Sequence, residues 1–265
     1  MRSGCSFGGT INFIPIAPRF SETGSAYGRL SGSYESNGNV IRSEGMLGVG
    51  NKWSDLGLFA SWSSGDDYRS GNGNRVQADF LRTSFGGIWG IKLSDKQLLK
   101  LSATRNMARD VDFAALPMDL RENDTWLINL NHEASFRGRN LASWKTSLYG
   151  SLVNHLMDNF DKPLDPRMIN AETLALTQNY GGRTEGNWSF ERSRLYTGLD
   201  FRIEQAEGHR EREFLMGPNV GNTVSDNVWQ DGQILRSGIF AEYHIRAGEI
   251  RWVVSGRGGK CIQYQ

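Results

Sequence analysis

Apolar and polar residues alternate along most of the chain, and a period of two is typical of β-strands. In one such segment, Leu195, Leu199 and Ile203 fall on one face. The other face carries Asp200 and Arg202. About eleven segments follow this pattern, many of them about ten residues or longer, whereas helical periodicity is almost absent. The pattern therefore predicts an all-β protein with long antiparallel strands.

The connections between these segments alternate between short turns and longer polar loops. Short turns are expected at Gly50–Lys52, Leu93–Asp95, Phe136–Asn140, Asn187–Glu191 and Ala247–Glu249. Longer loops are expected at Gly65–Val76, Met107–Asn123, Asp158–Ala171 and Ala206–Asp231. A meander of this kind has short turns at one edge and long loops at the other, as outer-membrane barrels have.

Two architectures fit the alternation. A soluble antiparallel sandwich or barrel turns its apolar face inward, whereas an up-and-down transmembrane β-barrel turns it toward lipid. The length of the segments favours the membrane barrel, because strands of soluble proteins usually run about five or six residues. Tryptophans near the segment ends also suit the aromatic girdle of a membrane barrel. These are Trp53, Trp62, Trp89, Trp126, Trp144, Trp188 and Trp252.

Composition and charge exclude several classes of protein. The 265 residues include 30 Lys+Arg and 29 Asp+Glu, and this balance gives no electrostatic reason to expect a nucleic-acid partner. No stretch approaches the roughly 18 apolar residues of a membrane helix. The two cysteines, Cys5 and Cys261, stand at opposite ends and form neither a disulfide framework nor a zinc motif.

Catalytic motifs have little support in the sequence. The one G-x-S-x-G match, at residues 4–8, lacks the preceding strand and following helix of a nucleophile elbow. The chain contains no H-E-x-x-H motif and no phosphate-binding loop. Asp158, Asp161 and Asp165 lack the ordered spacing of a calcium loop, so we expect solvated loop charges there. We therefore expect no enzyme activity and no cofactor.

Several short motifs resemble those of TonB-dependent outer-membrane receptors. The run Gly8-Gly9-Thr10-Ile11-Asn12-Phe13 resembles the last strand of the plug domain in that family. Residues 116–121, 155–159 and 226–231 resemble the branch that contains the TonB-dependent copper receptors. The resemblance implies a plug inside a barrel of about 22 strands, located in the cell outer membrane and energised through the TonB complex. Such a receptor imports its cargo and does no chemistry on it.

The resemblance implies that this chain is a fragment of such a receptor. Residues 1–23 are expected to be the end of the plug and a linker, and residues 24–257 about 11 of the 22 strands. Residues 258–265 do not continue the alternation and are expected to form a tail outside the barrel. The TonB complex would act through the missing N-terminal part, and the other expected partners are outer-membrane lipid and the cargo.

His155 and Met157 are the candidate metal ligands. Their i, i+2 spacing places both side chains on one face of a strand, and the phase of Ser147 and Ser151 makes it the polar, lumenal face. A thioether beside an imidazole suits Cu(I). In the copper receptors, the resemblance implies, a His-x-Met here supplies half the ligands, and a Cys and a Met of the plug supply the rest. Cys5 does not match that plug motif.

Other interpretations remain open at the level of sequence. His155 and Met157 also fit strand-end residues at a loop mouth in a receptor for another cargo, such as a siderophore or a corrinoid. Four loop methionines fit a copper-capturing vestibule and equally fit loops that pack on one another: Met107, Met118, Met168 and Met216. A soluble or surface-attached β module that binds a ligand without transport is the alternative from a different class. A passive porin is disfavoured by the plug-like run.

Overall fold

The computed structural model describes residues 17–138 and 140–264, apart from the side chain of residue 247. Its strands are β1 (Ser25–Glu35), β2 (Val40–Gly50), β3 (Ser54–Gly65), β4 (Tyr68–Arg69), β5 (Arg75–Val76), β6 (Phe80–Ser94), β7 (Gln97–Val111), β8 (Asp119–Ser135), β9 (Leu141–Asp158), β10 (Ile169–Ser189), β11 (Ser193–Phe214), β12 (Thr223–Ala247) and β13 (Ile250–Tyr264). The plug-like run and Cys5 lie outside the described residues. Within the described part of the chain, no helix is long and apolar enough to cross a membrane.

The strands form one antiparallel meander, which confirms the predicted topology. Eleven of them make a single sheet in chain order, and β4 and β5 pair with each other in the connection between β3 and β6. Each strand of the sheet is hydrogen-bonded to the strands that precede and follow it in this order. Among the described residues, β1 and β13 are the two edges, and each pairs on one side only.

The two faces of the sheet differ sharply in polarity. One row of paired positions runs across the strands through Leu56, Trp89, Leu101, Leu130, Leu148, Gly182 and Phe201. The adjacent row, one residue along each strand, runs through Asp55, Gly90, Lys100, Asn131, Ser147, Arg183 and Asp200. Since successive side chains point to opposite faces, the first row lies on an apolar face and the second on a polar face.

The sheet has almost no apolar core. Among the described residues, the buried hydrophobic side chains are Val40, Val111, Leu120, Ala134 and Ala175, and no large side chain is fully buried. Leu47, Leu199 and Ile239 are more than half exposed on the apolar face. A soluble sandwich would bury that face against a second sheet. The sheet is instead a single layer and forms part of a barrel wall, as the fold-class prediction states.

Three loops are shorter than predicted because the strands extend into polar sequence. The connections occupy residues 112–118, 159–168 and 215–222, whereas the sequence predicts loops beginning at residues 107, 158 and 206. Ion pairs between neighbouring strands hold these polar segments in the sheet: Arg210 contacts Asp226 at 2.6 Å. Opposite charges on facing strands stabilise a sheet, so a charged segment need not be a loop.

The predicted non-barrel tail at residues 258–265 is wrong, since β13 continues through Tyr264. Gly258 pairs with Ile239, and Gly259 pairs with Gly238. Glycines carry no side chain and therefore conceal the alternation, while their backbone pairs with β12. At the other end, the first strand begins at Ser25. Residues 1–16, which include most of the predicted plug remnant, lie outside the described residues.

Candidate metal site on the barrel wall

His155 and Met157 lie near the end of β9, at the edge of the sheet that carries the longer loops. Neither pairing of β9 shifts register between Ser147 and His155, so His155 keeps the phase of the polar face. Met157 follows two residues later, and both side chains are half-buried. The structure therefore places the two candidate ligands side by side on the polar wall.

Asn123 on β8 orients the imidazole of His155. The Nδ1 atom of His155 lies 3.0 Å from Oδ1 of Asn123. The amide nitrogen of Asn123 donates to Oγ1 of Thr125, which fixes the orientation of the amide group. Because an amide oxygen only accepts hydrogen bonds, Nδ1 of His155 carries the proton and Nε2 presents its lone pair. This is the arrangement in which histidines usually bind metals.

Met157 lies beside an irregularity in the neighbouring strand. It pairs with Leu120, and the register of β8 against β9 shifts between Leu120 and Glu122. Bulges of this kind often re-aim side chains next to functional sites. Arg121, the extra residue at the shift, ion-pairs with aspartates rather than with Met157.

The described cysteine lies far from the two candidate ligands. Cys261 is exposed and pairs with Arg236 on β12. Four strand spacings of about 4.8 Å separate β13 from β9, and the paired rows bring Cys261 level with Tyr149 rather than with His155. Cys261 therefore lies more than about 19 Å from the candidate ligands. Of the loop methionines, Met118 and Met168 lie in loops as predicted, whereas Met107 lies within β7. A soft third ligand therefore does not come from Cys261.

A second polar site lies at the same edge of the sheet. It is a cavity of about 260 Å³, and six aspartates line it: Asp79, Asp110, Asp112, Asp119, Asp158 and Asp161. Arg121 ion-pairs with three of these carboxylates, those of Asp110, Asp158 and Asp161. The prediction of a solvated charge at Asp158 is wrong. Its side chain is only 3% exposed, and its carboxylate accepts a hydrogen bond from the guanidinium of Arg121.

Asp79 and Asp112 carry the least compensated charge in this cavity. No ion pair is found for either carboxylate among residues 17–138 and 140–264. Burial, with the neighbouring charges of Asp79 and Asp119, raises the pKa of Asp112 to about 7. Burial and the charge of Asp67 also raise the pKa of Asp79. The sequence does not predict this cluster, because its members come from three separate connections and from the ends of three strands beside them.

Comparison with known proteins relates the sheet to a transporter barrel. In a solved structure titled "Copper transporter OprC", the match covers 92% of this chain with a TM-score of 0.80 and 20% sequence identity. The fold of this chain is similar to part of that transporter. This chain spans 39% of that transporter's length. The match confirms the expected fold, that of part of a larger transporter barrel.

The other comparisons add little. The ferric yersiniabactin uptake receptor FyuA from Yersinia pestis matches 84% of this chain and 41% of its own, with 11% identity and a TM-score of 0.45. No protein-family model matches the chain, and no curated protein matches it in sequence.

Proposed function

We propose that this chain is part of a TonB-dependent outer-membrane receptor that takes up a scarce metal or metal complex. The single-layer sheet supports this proposal, because an apolar row such as Leu56, Trp89 and Leu101 needs lipid on its outer side. The polar row through Lys100, Asn131 and the residues beyond it suits a wet lumen. The similarity of fold to a copper transporter points to the same class.

Copper is the best-supported cargo, and His155 with Met157 carries this part of the proposal. Nε2 of His155 presents a free lone pair, and Met157 adds a thioether two residues away on the same wall. Imidazole and thioether together favour Cu(I) over hard cations. By the resemblance, the plug would supply the remaining ligands and would be moved by the TonB complex. Copper is then the cargo and not a resident cofactor, and the receptor is not an enzyme.

The cargo is tested by Cu(I) affinity in the complete protein that contains this chain, purified in detergent. Competition with a chromophoric Cu(I) chelator is measured for the wild type, for His155→Gln and for Met157→Leu. Each substitution should weaken binding by about tenfold or more, because even outer partners of metal ligands cost that much. His132→Gln is the matched control, since His132 lies on the opposite face and contacts Gln97 at 3.2 Å.

Equal Cu(I) affinity in all four proteins would contradict the copper assignment. If the protein then bound a ferric siderophore or a corrinoid, it would still be a TonB-dependent receptor, but its cargo would be that compound and not copper.

The receptor class is tested separately by sequencing the DNA on both sides of the reading frame. We expect upstream codons for a signal peptide and a plug with a Cys and a Met, and downstream codons for about eleven further strands. Stop codons and a promoter immediately before Met1 would contradict the receptor class and favour a self-contained β protein.

A further inference from the structure

Four arginines gather on the polar face at the short-turn edge of the sheet, and together they are called the arginine cluster. Arg194 lies in phase with the polar face of β11 and pairs with His244 of β12. Two residues further along β12, Arg246 pairs with Arg251 of β13. The backbone oxygen of Arg192, just before β11, accepts from the N–H of Arg246. Strands about 4.8 Å apart, with a rise of about 3.3 Å per residue, bring the four Cα atoms within about 12 Å of one another.

The guanidinium groups of the arginine cluster have no carboxylate partner. They line a cavity of about 780 Å³, which Glu191 also lines. None of the four makes an ion pair with Glu191 or with any other carboxylate among residues 17–138 and 140–264. Every other arginine of β11, β12 and β13 does make such a pair: Arg202, Arg210, Arg212, Arg236 and Arg257. Positive charge is therefore left uncompensated at this edge, in contrast to the rest of the same strands.

Nearby acidic residues do not cancel this charge. Glu242 contacts an imidazole of its own strand, and Glu249 lies in the turn between β12 and β13. With Glu191 they make three carboxylates against four guanidinium groups. Arg246 and Arg251 also face each other directly, and like charges at facing positions destabilise a sheet. An anion bound between them would remove this repulsion.

A buried histidine holds one member of the arginine cluster in place. His244 is only 7% exposed. The guanidinium group of Arg251 donates to the Nδ1 atom of His244, so the proton of the imidazole is on Nε2, which donates to Glu242. Arg251 is thereby oriented before a ligand binds, which reduces the entropy lost on binding.

We propose that the arginine cluster binds a soluble anion that carries phosphate groups. A guanidinium group donates two parallel hydrogen bonds to one phosphate, so four of these groups suit a ligand with more than one phosphate. The ligand is soluble rather than a lipid, because the cluster lies on the polar face and not on the apolar one. The cluster lies at the opposite edge of the sheet from His155 and stands independently of the copper assignment.

The test is isothermal titration of sodium pyrophosphate into the complete protein that contains this chain, purified in detergent without phosphate. Arg192→Gln and Arg246→Gln should each weaken binding by about tenfold or more, because each removes hydrogen bonds between charged groups. Arg192 is exposed and lies outside the strands, so its substitution should leave the sheet intact. Arg236→Gln is the matched control, since it removes the same charge from β12 outside the cavity and should bind like the wild type.

Two further probes separate phosphate recognition from its alternatives. Hexaglutamate should bind more weakly than pyrophosphate, and equal affinity would mean that the cluster attracts acidic peptides in general, which would overturn the proposal. If pyrophosphate does not bind, but phosphatidylglycerol in nanodiscs stabilises the wild type and not Arg246→Gln, the ligand is a lipid headgroup and the proposal is wrong. Absence of pyrophosphate binding at millimolar concentration, or equal affinity in the wild type and both cluster variants, would also overturn it. None of these results would alter the Cu(I) measurements at His155.

Discussion

Asn123 determines which nitrogen of His155 can bind a metal. If its amide is removed, the imidazole loses the hydrogen bond at Nδ1, and both its tautomer and its ring orientation become free. We expect Asn123→Ala to lower Cu(I) affinity by about tenfold, the usual effect of losing such a partner. Chelator competition measures the change. Asn129→Ala, which removes an amide from the same face of β8, should leave the affinity unchanged, and an equal loss in both variants would contradict the positioning role.

Asp112 makes the loop edge sensitive to pH. Its pKa is raised to about 7 by burial and by Asp79 and Asp119, while Lys162 acts in the opposite direction. The folded connection therefore binds this proton more tightly than an unfolded one does. Its contribution to stability is fully present below the ordinary carboxyl pKa and is lost as pH rises through about 7.

The raised pKa of Asp112 predicts that the loop edge opens locally faster at pH 8 than at pH 5. Hydrogen–deuterium exchange of residues 66–79 and 112–118, corrected for intrinsic exchange rates, measures it. Asp112→Asn should remove most of the difference, whereas Asp95→Asn on the opposite edge should keep it. Identical pH dependence in wild type and Asp112→Asn would show that another group controls the opening.

At the scale of the strand, Gly198 permits β10, β11 and β12 to pack closely. A Cβ atom at Gly198 would overlap the backbone oxygen of Thr184 and the ring of Phe240. Gly198→Ala should therefore destabilise the sheet by about 1–3 kcal/mol, the usual cost of overpacking. Gly256→Ala on β13 is the matched control, because its Cβ would meet no atom within 4 Å. Urea unfolding in detergent compares the stability of the Gly198→Ala and Gly256→Ala variants. Equal urea concentrations at the unfolding midpoint would contradict the steric argument.

The elements differ in how far the sequence predicts them. Alternation predicts β11, because Leu199 and Asp200 take opposite faces. The same rule fails where β11 enters the charged run at residues 209–213, because polarity resembles a loop until the partner charges on β12 are known. His155 and Met157 are visible in the sequence, since they share one strand. The acidic cavity is not, because no spacing rule connects Asp79, Asp112 and Asp161 before the chain has folded.

At the scale of the molecule, residues 17–138 and 140–264 form an open wall with two free edges. β1 has 11 residues and β13 has 15, and about half of their backbone N–H and C=O groups point away from the paired neighbour. In hydrocarbon each unpaired group costs several kcal/mol, so the two edges together cost on the order of tens of kcal/mol. A barrel avoids this cost only by closing on itself.

This chain alone should therefore not insert into lipid vesicles as a stable monomer. Refolded into vesicles, it should run as unfolded on cold electrophoresis in SDS and should be digested by added protease. The same strands within the complete protein should resist both treatments, because further strands would then pair with β1 and β13. A heat-modifiable, protease-resistant monomeric band from the chain alone would contradict this expectation. It would mean that the wall curls tightly enough for β1 and β13 to pair with each other.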